Sequence, residues 1–275
     1  MRVAQTMDRC ELGGYSAQLA YYFFLSLFPT LLFVTSLLSY LPIARHHGAL
    51  LALFERILPA QAMTLVRTNL ETILHSHKGG LLSFGALFAL YTAGNALIAI
   101  GQGLNRVFDI RARRSFLHAR AVALALTLTL AVLWIMTVAL FFLGPRLMAL
   151  TAARFGWVVV PAVVDIVRWP VIVAILLAAT ALIYRFAADT PQDWHWVSPG
   201  SLFAVGGWIG ASALFAFYVS HFGSYNRMYG SIGAVIVLLT WMYLSGWLLL
   251  AGASIDAVLA GARGARHPGK HRHPS

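Results

Sequence analysis

The chain has 275 residues, 60% of them hydrophobic and 11% charged, with a formal net charge of +11. An ordinary soluble domain carries roughly 25% charged residues, so this composition cannot furnish a polar skin; it excludes a soluble enzyme, a disulfide-rich secreted module and a disordered chain. What remains is an integral membrane protein, whose basic residues set topology and meet anionic headgroups rather than nucleic acid.

The chain begins with Arg2 and Arg9, then runs without charge from Leu12 to Ala44. That run is too long for a signal core of roughly 7–15 residues, and it reads as a retained span. Cys10 is the only cysteine, so no intrachain disulfide is expected. A helical span needs about 20 apolar residues, and continuous runs of that length exclude the alternating pattern of a barrel.

Span 1 is expected within 13–41. It holds Ser26, Pro29 and Thr30. Pro29 removes a backbone hydrogen bond, and the two hydroxyls could satisfy the freed carbonyls. A helix broken at mid-membrane, as in many transporters, and a merely kinked packing helix both fit. Residues 45–78 follow. Met63, Val66, Leu70, Ile73 and Leu74 recur there at helical spacing after Pro59. They predict an amphipathic extracytoplasmic helix, more readily a packed cap than a lid.

Span 2, within 79–105, carries Tyr91, Asn95, Gln102 and Arg106, which fall within roughly 60° at 100° per residue. They form either a polar stripe along a substrate path or a set of interhelical hydrogen bonds. The sequence GQGLN at 101–105 lacks the strand and helix of a phosphate cradle and reads as packing. Span 3 lies in 121–145. Span 4, near 169–187, is preceded by a stretch broken by Pro161, Asp165, Arg168 and Pro170. Unpaired charge in lipid is expensive, which favours a short interfacial helix leading into a separate span over one long kinked helix with Asp165 and Arg168 paired at i,i+3.

Span 5, within 198–222, contains Gly206 and Gly210, a spacing that suits close helix approach. Span 6, within 228–255, aligns Tyr229, Gly233, Ile236, Thr240, Tyr243 and Trp247 on one face, which reads as a tight helix seam with Thr240 and Tyr243 also candidates for a path. Just before it, Tyr225, Asn226, Arg227 and Tyr229 suit the interface and could hold a lipid phosphate. The tail 261–275 is basic, rich in Gly, Pro and His, and expected to be disordered.

The expected fold is therefore all-α: a polytopic bundle of six transmembrane helices over 1–260, with an amphipathic loop and the short tail. With the N-terminus inside, twelve of the twenty Lys and Arg residues fall on the inner side, including the cluster from Arg106 to Arg120. Both termini are then cytoplasmic. No HExxH, Walker-type loop or paired-cysteine spacing occurs, so no metal, cofactor or catalytic residue is expected.

Three segments carry a resemblance: LAYYFFLSLFPTLLF at 19–33, YTAGNALIAIGQGLNRVFDI at 91–110 and the stretch from Ser224 to Leu259. They resemble the YihY / virulence factor BrkB family over about residues 10–260. The family's signatures fall on Ala20, Tyr21, Tyr22, Ser26, Leu27, Phe28 and Pro29, and on Tyr225, Asn226, Tyr229, Gly230 and Ser231. A Gly-Ala turn ending span 6 falls on Gly252 and Ala253, with Ser254 where members usually carry Glu. The resemblance implies a bacterial inner-membrane protein with six helices. It also brings an older ribonuclease label, which the absence of clustered His and carboxylate ligands argues against. The expected function is transport or flipping of a lipid or other amphipathic molecule. The alternative is a non-transporting envelope scaffold. Membrane lipids are the expected partners, and a second copy of the chain or an envelope protein could pack on the helix seams.

Overall fold

The computed structural model describes residues 11–40, 79–110, 114–155, 159–189, 196–221 and 225–265. They form six helices: α1 (Leu12–Tyr40), α2 (Gly79–Val107), α3 (Phe116–Phe155), α4 (Val159–Phe186), α5 (Pro199–His221) and α6 (Tyr225–Ala265). No strand occurs among the described residues. In an apolar medium each backbone N–H and C=O needs an internal partner, and an α-helix provides one within its own segment. Helices α2 to α6 each hold a stretch long and apolar enough to cross a membrane. α1 carries Tyr15, Ser16, Gln18, Tyr21 and Tyr22 in its first half and is not among them.

Each helix packs on the next in chain order, and α6 returns to α1, so the six form a closed ring in which α2 also touches α6. The buried core is concentrated at one end of this ring. It gathers Leu12 and Leu19 of α1, Ile100 and Leu104 of α2, and Leu250 and Ala253 of α6. This end also carries Arg106 and Arg114, and is called the basic end below. α3, by contrast, buries only 6% of its span.

At the basic end the helices approach to backbone contact. A Cβ on Gly101 would lie 2.5 Å from the carbonyl oxygen of Ala187. A Cβ on Gly200 of α5 would collide with the carbonyl of Gly252 on α6 and with the Asp256 carboxyl group. One on Gly252 would lie 2.6 Å from the Tyr184 hydroxyl and 2.9 Å from the Ala204 Cβ. Lipid supplies no hydrophobic drive between helices, so such close packing is a main source of association. The GQGLN segment serves this packing, as its sequence suggested.

Several expectations are corrected. Residues 159–186 form one helix, not an interfacial helix plus a span; α4 passes through Pro170 without a break. The proline removes one hydrogen bond. The charge that argued for a break is accommodated: the Arg168 guanidinium lies 5.8 Å from the Phe141 ring centroid and 5.6 Å from that of Trp169. Aromatic faces attract a cation at such distances. α6 has no turn at Gly252–Ala253 and continues to Ala265, past the expected tail boundary at 261. Of the two readings at Pro29, the continuous helix is the one found: α1 runs through it. The Gly206 and Gly210 pair makes no close approach among the described residues, since a Cβ on either meets nothing within 4 Å. Their neighbour Gly207 is the close one, with Leu248 at 2.9 Å. The amphipathic helix expected in 45–78 and the tail from 266 lie outside the described residues.

These contacts separate two glycines of one helix. Gly200→Ala should destabilise the purified protein by about 1–3 kcal/mol, because the atoms it meets are backbone and a bonded carboxylate. Gly210→Ala should be neutral or slightly stabilising. Thermal unfolding in detergent, read by size-exclusion chromatography, compares the two.

Candidate functional site

The site is built from the hairpin of α2 and α3. α2 ends in a left-handed turn, with Asp109 at φ 54°. The Ile110 N–H donates to the Asn105 carbonyl at 2.8 Å and the Asp109 N–H to that of Arg106 at 3.4 Å, a Schellman pattern. Asp tolerates this conformation better than most residues. Ser115 then caps α3: its carbonyl accepts from the Ala119 N–H at 2.9 Å, and its hydroxyl accepts from the His118 N–H at 3.4 Å. The register so fixed sets Arg120, early in α3, against the middle of α2.

There Arg120 makes three contacts. Nη1 donates to Asn95 Oδ1 at 2.5 Å. Nη2 donates to the Tyr91 carbonyl at 2.9 Å. The guanidinium carbon lies 4.0 Å from the centroid of the Tyr91 ring. Asn95 is twelve residues before the end of α2, about 18 Å at 1.5 Å per residue. Both helices' apolar spans include the cluster. A guanidinium has five N–H donors. Among the described residues two are taken, and no carboxylate pairs with the charge. An ionisable side chain on a membrane-spanning helix is by default a candidate for a functional site.

The expected stripe on α2 is thus split. Tyr91 and Asn95 are joined through Arg120. Gln102 and Arg106 lie exposed on the same face, nearer the basic end. Thr240 of α6 does not join them: it is exposed, and its hydroxyl donates to the Ile236 carbonyl of its own helix at 2.8 Å. The Tyr243 hydroxyl faces Gly13 of α1, 3.5 Å from where a Cβ would sit. Ser26 donates to the Phe23 carbonyl at 2.7 Å, not to Leu25, whose carbonyl the Pro29 ring leaves free. Thr30 is exposed. Tyr225, Asn226, Arg227 and Tyr229 lie in the first turns of α6, with side chains outside the described residues.

A second polar cluster closes the basic end. Asp256 of α6 accepts from the Ser198 hydroxyl at 2.5 Å and from the Gly200 N–H at 2.8 Å, capping α5 from across the ring. Ser201 completes the cap by accepting from the Ser198 N–H at 2.9 Å. The Tyr184 hydroxyl of α4 donates to the Leu249 carbonyl at 2.6 Å. The buried Asn105 accepts from the Asp189 N–H at 2.8 Å, and Arg114 donates to the Phe186 carbonyl at 2.9 Å. These bonds are structural: they tie helix ends to helix ends. Among the described residues no three His, Cys, Asp or Glu side chains come together.

A family profile described as Virulence factor BrkB matches residues 3–275. The chain belongs to the virulence factor BrkB family. The ribonuclease-like protein YfkH of Bacillus subtilis is 39% identical over 245 residues, covering 89% of this chain and 88% of that protein. A UPF0761 membrane protein of Ralstonia nicotianae is 26% identical over 246 residues, 86% of this chain, but the chain spans only 52% of its length. A UPF0761 membrane protein of Vibrio campbellii is 26% identical over 273 residues, covering 92% of this chain and 79% of the relative. No solved structure matches. With five apolar helices of spanning length, this BrkB-family chain is a multi-pass membrane protein. Ser254, at the position where the family resemblance leads one to look for Glu, is fully buried and donates to the Leu250 carbonyl. Asp256, two residues further along α6, is the acidic side chain nearest to it in sequence.

The Asn95–Arg120 bond should be measurable as a coupling. A double-mutant cycle of Asn95→Leu and Arg120→Gln, read by unfolding in detergent, should give about 0.6–2 kcal/mol. A value of zero would mean that the two helices are positioned without this contact.

Proposed function

We propose that this BrkB-family protein moves an anionic amphipathic molecule of the lipid class within the bacterial inner membrane, with both termini cytoplasmic. One observation supports the reading: the Arg120 guanidinium, on a helix of spanning length, has two of its five donors bonded among the described residues and no described carboxylate beside it. A charge left for a ligand attracts a phosphate or carboxylate and binds it by paired N–H donors. Asn95 and the Tyr91 ring hold the guanidinium in place for that purpose. Arg120 is the headgroup contact in this reading. We read the protein as non-enzymatic, and the ribonuclease-like name belongs to its Bacillus relative.

A scaffold is the second reading. The open Gly206–Gly210 face of α5 has the spacing that a helix of a partner protein would use.

Reconstitution tests the first reading. Liposomes holding the protein and a fluorescent phosphatidylglycerol should expose that lipid to an impermeant quencher faster than protein-free liposomes do. Arg120→Gln should lower the rate about tenfold, the loss of one charged hydrogen bond. Arg120→Lys should retain part of it. If wild type matches protein-free liposomes with phosphatidylglycerol and with every other anionic amphiphile tried, the transport reading is lost.

A further inference from the structure

The exposed face of α2 continues beyond the polar stripe in the other direction. Phe84, Leu87, Phe88, Tyr91, Asn95, Gln102 and Arg106 share about 100° of arc. Of these, Leu87 is 70% exposed and Tyr91 55%. The Phe84 and Phe88 rings stack along the face, 5.7 Å apart with 20° between their planes. The face is therefore graded. It is apolar and aromatic over its first three turns, amphipathic at Tyr91, and polar and cationic from Asn95 to the basic end. α3 borders it: at the buried Gly94, a Cβ would meet Leu124 at 3.6 Å and Arg120 at 3.7 Å. Arg120 thus enters the face from the side, at the junction of its two halves.

We infer that this graded face binds one anionic phospholipid in a defined direction. The headgroup phosphate lies at Arg120, and the acyl chains run along Leu87 and the Phe84–Phe88 pair, away from the basic end. This deepens the proposed function and rests on its assignment of Arg120 as the headgroup contact. The occupant is a lipid rather than a free phosphate ester because half of the face is apolar, and a water-soluble anion leaves that half uncovered. It is anionic rather than zwitterionic because a net positive charge meets it, and a choline or ethanolamine group would find no described carboxylate there. The direction follows from the gradient. A lipid of the basic-end leaflet has its headgroup toward that end and its chains toward the midplane, which is the order of residues on the face. Its headgroup is lifted inward, because Asn95 lies six residues, about 9 Å, above Gly101, where α2 meets the end of α4. The site therefore loads from the leaflet at the basic end and holds the lipid part-way toward the other side.

Photo-crosslinking in nanodiscs tests this. The exposed positions Leu87 and Gln102 are each replaced by a benzophenone amino acid in the full chain, and the discs contain phosphatidylcholine with or without phosphatidylglycerol. The Leu87 probe should capture phosphatidylglycerol through its acyl chain, and the Gln102 probe through its glycerol headgroup. Arg120→Gln should lower both captures about tenfold, and Arg120→Lys should restore much of the loss. Soluble glycerol phosphate in excess should not compete. Equal capture of the two lipids, the reversed pattern of adducts, or competition by glycerol phosphate would overturn the inference. If Arg120→Gln does not yield folded protein, the comparison of the two lipids on the unsubstituted Arg120 background decides alone. Directional capture without translocation in liposomes removes the transport reading and leaves this one standing. Translocation without selective capture does the reverse.

Discussion

Backbone contact between helices at the basic end is the constraint on which the rest of the molecule depends. In lipid, side-chain burial gives little net drive to assembly, because the tails are as apolar as leucine. Helices then associate where their backbones can come close and where buried polar groups bond across the gap. Both conditions are met where α4, α5 and α6 converge. Gly200 and Gly252 allow α5 and α6 to touch, Asp256 bonds the first N–H groups of α5, and Tyr184 reaches the carbonyl of Leu249. Each of these bonds satisfies a group that the bilayer could not.

The candidate site inherits its geometry from that end. Asn105 holds the segment after α4, and Arg114 holds the last carbonyls of α4 itself. Between them runs the turn at Asp109 that sends the chain back along α2. The start of α3 is therefore set by bonds to α2 and α4. A shift of one residue in this turn would rotate Arg120 by about 100° and carry it off the face of α2. The position of the cation is a consequence of how the hairpin closes, not of a strong attraction between Arg120 and Asn95.

Much of the fold could be read from the chain because a membrane helix announces itself by length and apolarity alone. The helices α1, α2 and α5 fall within a few residues of the spans expected for them. Proline and charge misled at α4: Pro170 and Arg168 look like a break, yet a helix tolerates one missing bond, and two aromatic rings receive the cation. For the site, helical periodicity picked out Tyr91 and Asn95, because both lie on one face of one helix. It could not supply Arg120, which sits 25 positions after Asn95 and meets it only through the closure of the turn. Arg120 was instead counted with the interfacial arginines. Thr240 stands apart from Asn95 for a different reason: a hydroxyl in a helix can bond its own preceding turn, and this one does. The glycines show the same limit. Spacing marked Gly206 and Gly210, but which glycine meets a neighbour depends on the rotation of α5, and Gly207 is the one turned toward Leu248.

The concentration of buried residues at one end has a consequence for how such a chain can change over generations. Where backbones touch, nearly every substitution adds atoms to a space that has none to spare, and variants there are removed. Along α3, with 6% of its span buried, one large apolar residue serves nearly as well as another. Descendants of a common ancestor will thus hold the basic end nearly fixed while the outer reaches of the ring drift. New ligand preferences can arise on the drifting part without unsettling the anchored one.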